Sequence, residues 1–354
     1  MRQGHFAALQ PLCPRCQLAG HASHLQINSA WETDGDIIWM GILHCPANEC
    51  RLEFPIIDGV PIIVADVRSY LASSGGQLLR RHDLPESLET LLGDASGPAS
   101  EFDQTRQHLS IYAWSHYGEF DELEDEDPAT DGIVECLNAG ISLGIGSSPA
   151  IDLGCAVGRT TFELAMQTGG QALGIDANFA MLQMAQRLLR FGEVTYERRR
   201  TGLVYDRRKF AVRLPGAHNA DFWACDALAL PFDTAAFGTA LALNLLDCVA
   251  SPVDLLREIQ RLLRPGGRGI IATPFDWSPA ATAVEAWIGG HSQRGRDGGD
   301  GPSRLLTALG TDTTVAGLGG LEVMGNVTAV NWRARLHSRS SVSYRNYVLG
   351  VRRI

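Results

Sequence analysis

From about Ile133 onward the apolar positions repeat one order: a short continuous apolar run, a Gly-rich turn, then a helical spacing. Ala150 to Leu153 predicts a strand and Thr160 to Gln167 a helix. Ala172 to Ile175 predicts a second strand ending at Asp176, followed by a helix through Leu189. Phe222 to Cys225 predicts a third, ending at Asp226. Phe237 to Leu243 predicts a fourth, with a helix from Pro252 to Leu263 closed by Pro265-Gly266-Gly267, and Gly269 to Thr273 a fifth. Continuous apolar strands alternating with helices are buried on both faces, so this order predicts an α/β parallel sheet. Two longer strands, Val323–Arg333 and Tyr344–Val351, are expected at the tail. Upstream, Ile37–Met40, Ile42–Leu43 and Ile62–Val64 are short β-like runs, and Gln104 to Tyr117 reads as a helix with Leu109, Tyr112, Ala113 and His116 near one face.

Composition narrows the class. The chain has 354 residues, 45% hydrophobic and 20% charged, with a mean hydropathy of -0.03. That balance excludes a collagen-like, coiled-coil or wholly disordered chain, and the length suggests about two domains. A formal charge of -10 disfavours polyanion binding unless basic residues cluster. No apolar run approaches the roughly 18–20 residues that span a bilayer, and the N-terminal stretch lacks the apolar core of a secretory signal. The expected location is cytoplasmic.

The sharpest local signal is Ile151-Asp152-Leu153-Gly154-Cys155-Ala156-Val157-Gly158. A strand ends, and a turn of glycines and small residues opens a helix, whose free N–H groups and close backbone approach suit a ligand. Asp176 ends the next strand, where a carboxylate can take both hydroxyls of a ribose; Asp226 opens the turn after the third, where an acid can accept from an adenine amine. Each acid alone also reads as a helix cap. Together they converge on the crevice at the carboxyl ends of parallel strands. A dinucleotide site would need G-x-G-x-x-G, and Ala156 stands where its middle glycine belongs.

DLGCAVGR, GID at Asp176, CDALALPF at Asp226, FGTALALNLLD and LLRPGG before IIATPF together resemble the class I S-adenosylmethionine-dependent methyltransferases, over about residues 150–354. The resemblance implies a Rossmann-like seven-stranded sheet with helices on both faces, ending in a β-hairpin. It also implies Asp152 and Gly154 near the methionine moiety, Asp176 on the ribose, Asp226 on the adenine, and Ala156, Gly158, Ala177, Ala227 and Asn244 around the same cofactor.

Catalysis at an activated methyl needs an aligned nucleophile and, where required, a proton acceptor. Asn244, Asp247, Asp276 and Trp277 follow the fourth and fifth strands. Asp247 could orient or deprotonate an acceptor nitrogen, or cap the Pro252 helix; Trp277 could wall a planar substrate or be structural. Tyr112-x-x-x-His116-Tyr117-Gly118, LGCAVGRTTFELA, ALNLLDCVASP, ATPFDW and AWIGG look like the methyltransferase domain of ovothiol synthases and related 5-thiohistidine N-methyltransferases. That resemblance implies methyl transfer to an imidazole nitrogen of a thiohistidine-like compound, with His116, Tyr117, Asn244, Asp247 and Trp277 lining the acceptor pocket. Cys248 and Phe275-Asp276 depart from that pattern.

Cys13-Pro14-Arg15-Cys16 and Cys45-x4-Cys50 offer four thiolates, a donor set that suits a closed, structural Zn2+ site, with His44 adjacent as a substitute ligand. With Phe54 to Val64 following, residues 10–65 resemble the small zinc-ribbon activator of tRNA, rRNA and release-factor methyltransferases. The expected organisation is a β-rich zinc ribbon over 1–65, a linker with a helix contributing to the acceptor pocket over 66–130, and a methyltransferase domain over 131–354. Arg198, Arg199, Arg200, Arg207, Arg208, Lys209 and Arg213 form a basic segment, read either as a site for phosphates or a carboxylate or as the solvated face of an inserted hairpin. The leading expectation is a small-molecule acceptor. An RNA or protein methyltransferase using the ribbon for recognition, and a non-catalytic S-adenosylmethionine-binding scaffold, are the alternatives.

Overall fold

The computed structural model describes residues 1–123, 132–294, 297–310 and 318–354. The N-terminal region contains α1 (Gln3–Leu9), α2 (Pro14–Leu18) and an antiparallel sheet of β1 (Gln26–Asp34), β2 (Ile37–His44), β3 (Glu53–Ile57) and β4 (Val60–Pro61). The two apolar runs around Met40 form one strand. They meet at Gly41, where an added Cβ would come 2.4 Å from the Ser29 carbonyl oxygen of β1. Four helices follow: α3 (Val67–Ser73), α4 (Gly75–Leu78), α5 (Glu86–Ser96) and α6 (Glu101–Tyr117). α6 starts earlier than its apolar spacing suggests because Ser100 caps it, its Oγ accepting the Asp103 N–H at 3.2 Å.

The remaining elements are α7 (Ile133–Ser142), β5 (Ala150–Leu153), α8 (Arg159–Thr168), β6 (Ala172–Asp176), α9 (Phe179–Phe191), β7 (Glu193–Thr201), β8 (Val204–Ala211), β9 (Ala220–Ala224), β10 (Phe237–Leu243), α10 (Pro252–Leu262), β11 (Leu263–Thr273), α11 (Gly301–Leu309), β12 (Leu321–His337) and β13 (Ser340–Arg353). A helix, not a strand, opens this region at Ile133. Seven strands form one sheet in the order β12-β13-β11-β10-β5-β6-β9. β11, β10, β5, β6 and β9 run parallel; β13 and β12 close the sheet antiparallel. The Rossmann-like α/β expectation therefore holds.

Several strand boundaries differ from expectation. β9 starts at Ala220 and stops before Cys225, because Ala220 and Asp221 already pair with Ala172 and Leu173 of β6. β11 begins at Leu263, its Pro-Gly-Gly stretch absorbed in a register irregularity against β10. The tail strands extend through polar residues because each pairs with the other, from Leu321↔Arg353 to His337↔Ser340.

Strand alternation sorts the core into two layers. Ile151, Leu153, Ala240, Ala242 and Ile271 pack with α10, α11 and the N-terminal sheet. Ala150, Leu241, Leu243, Ile270 and Ala272 pack with α6, α7, α8 and α9. Helices thus cover both faces. The predicted strand at Ile62–Val64 joins the large sheet instead: Ile62 bridges Ala224 in parallel, and the Ile63 N–H donates to the Ala224 carbonyl at 2.9 Å. This blunts the β9 edge, whose unpaired backbone would otherwise be open to another chain.

The basic segment falls on the β7–β8 hairpin and is largely consumed by internal partners. The Arg208 guanidinium donates to both carboxylate oxygens of Asp121 at 2.6 Å each, and both side chains are buried. Arg207 pairs with Glu197 at 2.9 Å and with Glu89, and Arg200 pairs with Asp206 at 2.6 Å. Arg199 donates to Gln107 at 3.1 Å. Glu119 and Asp121, at the start of the acidic run, serve as partners for Arg159 and Arg208. The rest of that run, from residue 124, and the expected boundary at 130/131 lie outside the described residues. Among the described residues no helix is long and apolar enough to cross a membrane.

Removing Arg208 leaves a buried carboxylate unpaired. Arg208→Ala is expected to cost about 3–5 kcal/mol of stability, most of it restored by combining Arg208→Met with Asp121→Leu. Urea unfolding followed by circular dichroism measures both; a loss below about 1 kcal/mol in the single variant, the range of an exposed pair, contradicts the buried-pair description.

Candidate active site

The strand order reverses direction between β5 and β10: the chain steps from β5 to β6 and β9 on one side, then crosses to β10 on the other. Ligands of open α/β sheets bind outside the carboxyl ends of the strands at such a point. Here lies a crevice of about 860 Å³. Gly154 follows β5 with φ +71°, and a Cβ there would sit 2.8 Å from Leu245 Cδ1 on the opposite wall. Ala156 has φ 49° and Asn244, following β10, φ 55°. These left-handed residues turn the backbone sharply at both strand ends, which costs energy for a side chain other than glycine.

Asp176 ties the walls together. Its Oδ2 accepts the Ala156 N–H at 2.9 Å and its Oδ1 accepts the Asn178 N–H at 2.8 Å. Each oxygen retains acceptor capacity toward the crevice. Burial raises its pKa, opposed by those backbone donors and the Ala177 N–H. Asp226 sits exposed at the rim, its Oδ1 accepting the Leu228 N–H at 2.9 Å, with Ala227, Leu228 and Ala229 continuing the wall. Both amide atoms of Asn244 are buried without partners. Gly154, Ala156, Asp176, Ala177, Asp226, Ala227 and Asn244 all line the crevice.

Two of the expected cofactor residues stand behind the wall. Asp152 Oδ2 accepts the Thr160 and Thr161 hydroxyls at 2.6 and 2.7 Å, clamping the first turn of α8, and burial pushes its pKa up to about 6. Gly158 has φ +91°, and a Cβ there would lie 2.6 Å from Phe222, so it sets how closely α8 packs on β9.

At the acceptor end the wall is formed by Tyr112, His116, Asp247, Cys248, Asp276, Trp332 and Tyr344. Asp247 Oδ2 accepts the Asp276 N–H at 2.7 Å, while its Oδ1 is buried without a partner. Burial raises its pKa. His116 is buried with Nδ1 unpartnered, and its pKa is lowered to about 3 by burial and by the nearby Arg159 guanidinium. At neutral pH it is an uncharged imidazole. Trp332 stacks on Tyr344 at 4.9 Å between centroids, and its Nε1–H donates to Ser115 at 2.8 Å.

Tyr117 and Trp277 do not line this crevice. Tyr117 is fully buried and its hydroxyl donates to the Val157 carbonyl at 2.7 Å, bracing the turn after β5 from behind. Trp277 stacks on Trp287 at 5.9 Å with an interplanar angle of 11°. The aromatic wall comes instead from the tail hairpin, whose Trp332 and Tyr344 carry no motif in the sequence. Their one signal was the pairing of two long strands that would bring them together.

The N-terminal region also reaches the crevice. Val64, Ala65, Asp66, Ser69, Tyr70 and Ser73 line it, and the Tyr70 hydroxyl donates to the Ala177 carbonyl at 3.0 Å. The Leu12 N–H donates to the Pro231 carbonyl at 2.8 Å and Gln17 to the Leu230 carbonyl at 3.2 Å, so the first cysteine knuckle abuts the loop that begins at Asp226. Cys13, Cys16, Cys45 and Cys50 place their sulfurs within 4.8 Å of one another. The Cys13–Cys50 and Cys16–Cys45 separations are 3.7 and 3.6 Å. A tetrahedral zinc with Zn–S of about 2.3 Å requires sulfur–sulfur edges of about 3.8 Å, so the donor set fits that ion. His44 is not part of the cluster.

Residues 151–271 match the family model described as "Methyltransferase domain". O-methyltransferase cnsE of Penicillium expansum is 26% identical over 201 residues, covering 53% of this chain and 63% of that protein. Methyltransferase GfsG of Streptomyces halstedii is 29% identical over 160 residues, covering 44% of this chain and 49% of that protein. The chain thus spans less than two thirds of the length of these curated relatives. A solved structure of a SAM-dependent methyltransferase from Methanosarcina mazei aligns with a TM-score of 0.36 and 19% identity, over 59% of this chain and 93% of that one. The segment that matches this family model runs from β5 into β11 of the seven-stranded Rossmann-like sheet and carries both turns of the crevice.

Proposed function

We propose that the protein is an S-adenosylmethionine-dependent N-methyltransferase acting on a small molecule at an imidazole nitrogen of a thiohistidine-like compound. The observation that carries the methyl-transfer reading is the meeting of the Gly154 turn, Asp176, Asp226 and the unpartnered amide of Asn244 in one crevice inside the matched domain. The residues suit the cofactor. Asp176 would hold the ribose, Asp226 and Leu228 the adenine, and Gly154 with Asn244 the amino-acid end. When bound, S-adenosylmethionine supplies an electrophilic methyl group on a sulfonium.

The chain's own part is to bind, align and deprotonate. Tyr112, Trp332 and Tyr344 would wall a planar acceptor, and His116, uncharged, would offer a neutral hydrogen-bonding edge. Asp247 would take at Oδ1 the proton of the ring N–H opposite the attacking, unprotonated nitrogen, while the Asp276 N–H holds Oδ2 in place. The narrower acceptor assignment is supported by His116, Asn244 and Asp247 sharing the crevice, and by its room for a second small molecule. The relative named as an O-methyltransferase makes an oxygen acceptor the competing outcome. A phosphate-rich RNA acceptor is disfavoured by the paired arginines of the β7–β8 hairpin and by the acids around the crevice.

We propose that Cys13, Cys16, Cys45 and Cys50 hold a structural zinc ion, and that the region up to about residue 65 is a ribbon docked on the methyltransferase domain, with 66–130 bridging the two. Its contacts with Leu230 and Pro231 support a role in fixing the loop after β9.

Asp176→Ala is expected to abolish S-adenosylmethionine binding, a loss of at least about 100-fold by calorimetry for a hydrogen-bonded charged group, with unchanged circular dichroism. Undiminished affinity would overturn the cofactor assignment. Because the raised pKa of Asp247 favours its protonated form, kcat is expected to fall with acid at a pH above the ordinary aspartate range, and Asp247→Asn is expected to remove that limb and lower kcat by about 10²–10⁴-fold. An unchanged pH profile in the variant would remove Asp247 as base. Cys13→Ser is expected to lower bound zinc, measured by elemental analysis of the purified chain, and to destabilise the N-terminal region by several kcal/mol. Equal metal content in wild type and variant would defeat the zinc assignment.

A further inference from the structure

The charge lining the crevice restricts the acceptor further than its shape does. Asp66, Asp176, Asp226, Asp247 and Asp276 contribute to the wall, and among the described residues no Lys or Arg does. Arg296 is the single basic residue outside the described set. His116 cannot supply a cation, since its imidazole is neutral. Arg159 is engaged by Glu119 and by Glu163 at 3.0 Å, and Arg333 and Arg335 lie over Trp114, at 5.0 and 5.7 Å from its ring centroid.

Two buried groups point to a specific complement. Asp247 is 2% exposed and its Oδ1 has no partner; His116 is 5% exposed and its Nδ1 has none. An unsatisfied buried carboxylate oxygen is costly, and the natural relief is a donor brought by the ligand. The stacked pair Trp332 and Tyr344 stands on the same wall, with Tyr112 nearby. Aromatic faces attract cations, most strongly where water is excluded. An acceptor carrying a carboxylate or phosphate would bring a further negative charge beside Asp247 and Asp276 with no lining cation to meet it.

Resting on the methyl-transfer reading of the crevice, we propose that the acceptor is an imidazole-type nitrogen nucleophile on a cationic molecule lacking carboxylate and phosphate, its ammonium paired with Asp276 and its ring against Trp332 and Tyr344. Methyl transfer then forms the bond from the unprotonated ring nitrogen to the methyl carbon as the carbon–sulfur bond breaks toward sulfur, and the proton on the other ring nitrogen passes to Asp247 Oδ1. A thiohistidine skeleton fits this site when its carboxylate has been removed or masked as an amide or ester. The reaction that supplies the acceptor is accordingly a decarboxylation or an acyl condensation.

The test uses the full chain saturated with S-adenosylhomocysteine and three probes of one ring: histamine, 4-methylimidazole and imidazole-4-acetate. Calorimetry is expected to rank them in that order, with histamine at least about tenfold tighter than the acetate at low salt, because the difference between them is one charge sign beside two carboxylates. Asp276→Asn is expected to narrow that ratio to about threefold while leaving S-adenosylhomocysteine affinity unchanged. Equal or tighter binding of imidazole-4-acetate overturns the charge assignment and leaves the methyl-transfer reading intact. Failure of all three probes with S-adenosylhomocysteine bound removes the imidazole acceptor. Failure of S-adenosylhomocysteine itself to bind overturns both readings.

Discussion

Parallel pairing of β5 with β10 on one side and β6 on the other is the constraint on which the crevice depends. A parallel ladder puts the carboxyl ends of all its strands on one edge, and the reversal of winding between β5 and β10 leaves a gap there. Both flanking turns must then change direction within a residue or two, which is why Gly154, Ala156 and Asn244 take left-handed backbone. The acids that follow β6 and β9 arrive at the same edge. Asp176 is held there by the Ala156 and Asn178 N–H groups, so the turn after β5 and the start of α9 are fixed through one carboxylate.

The N-terminal region depends on the same sheet at its other edge. β9 would be exposed without Ile62 and Ile63, whose pairing with Ala224 carries the chain from the cysteine cluster into the crevice wall. Cys13, Cys16 and Cys45 belong to the same buried cluster as Trp223, Leu230 and Phe232, so the four-sulfur site and the loop after β9 share one core. The segment that follows the cysteine cluster supplies Val64, Ala65, Asp66, Ser69, Tyr70 and Ser73 to the crevice. One covalent chain thus holds an edge-pairing segment, a cysteine cluster and a crevice wall in fixed register.

Legibility from sequence followed the range of the interactions. The strands β5, β6 and β10 were readable because burial on both faces leaves a continuous apolar run between turn residues. Gly154, Asp176 and Asp226 were readable because each follows such a run immediately. Asp152 was legible as an acid at a strand end, but its turn toward Thr160 and Thr161 depends on side-chain geometry that spacing does not specify. The sequence distance from Tyr112 to Trp332 and Tyr344 hid the aromatic wall, which exists only once β12 and β13 pair. The inserted hairpin was one of the two readings of the basic segment, but its internal pairing was hidden for the same reason. Its partners Glu89 and Asp121 lie far back in the chain, on segments whose placement local patterns do not set.

These strands, turns and charges meet in one claim: a nucleoside cofactor lies along the carboxyl edge from Gly154 past Asp176 to Asp226, with Asn244 opposite. A crystal structure of the full chain with S-adenosylhomocysteine tests it most directly. The account predicts ribose hydroxyls on Asp176, the adenine against Asp226 to Leu228, and the amino-acid end between Gly154 and Asn244, with Asp247 Oδ1 facing the remaining space beside Trp332. A ligand bound away from this edge, or along it without contact to Asp176, would contradict the account.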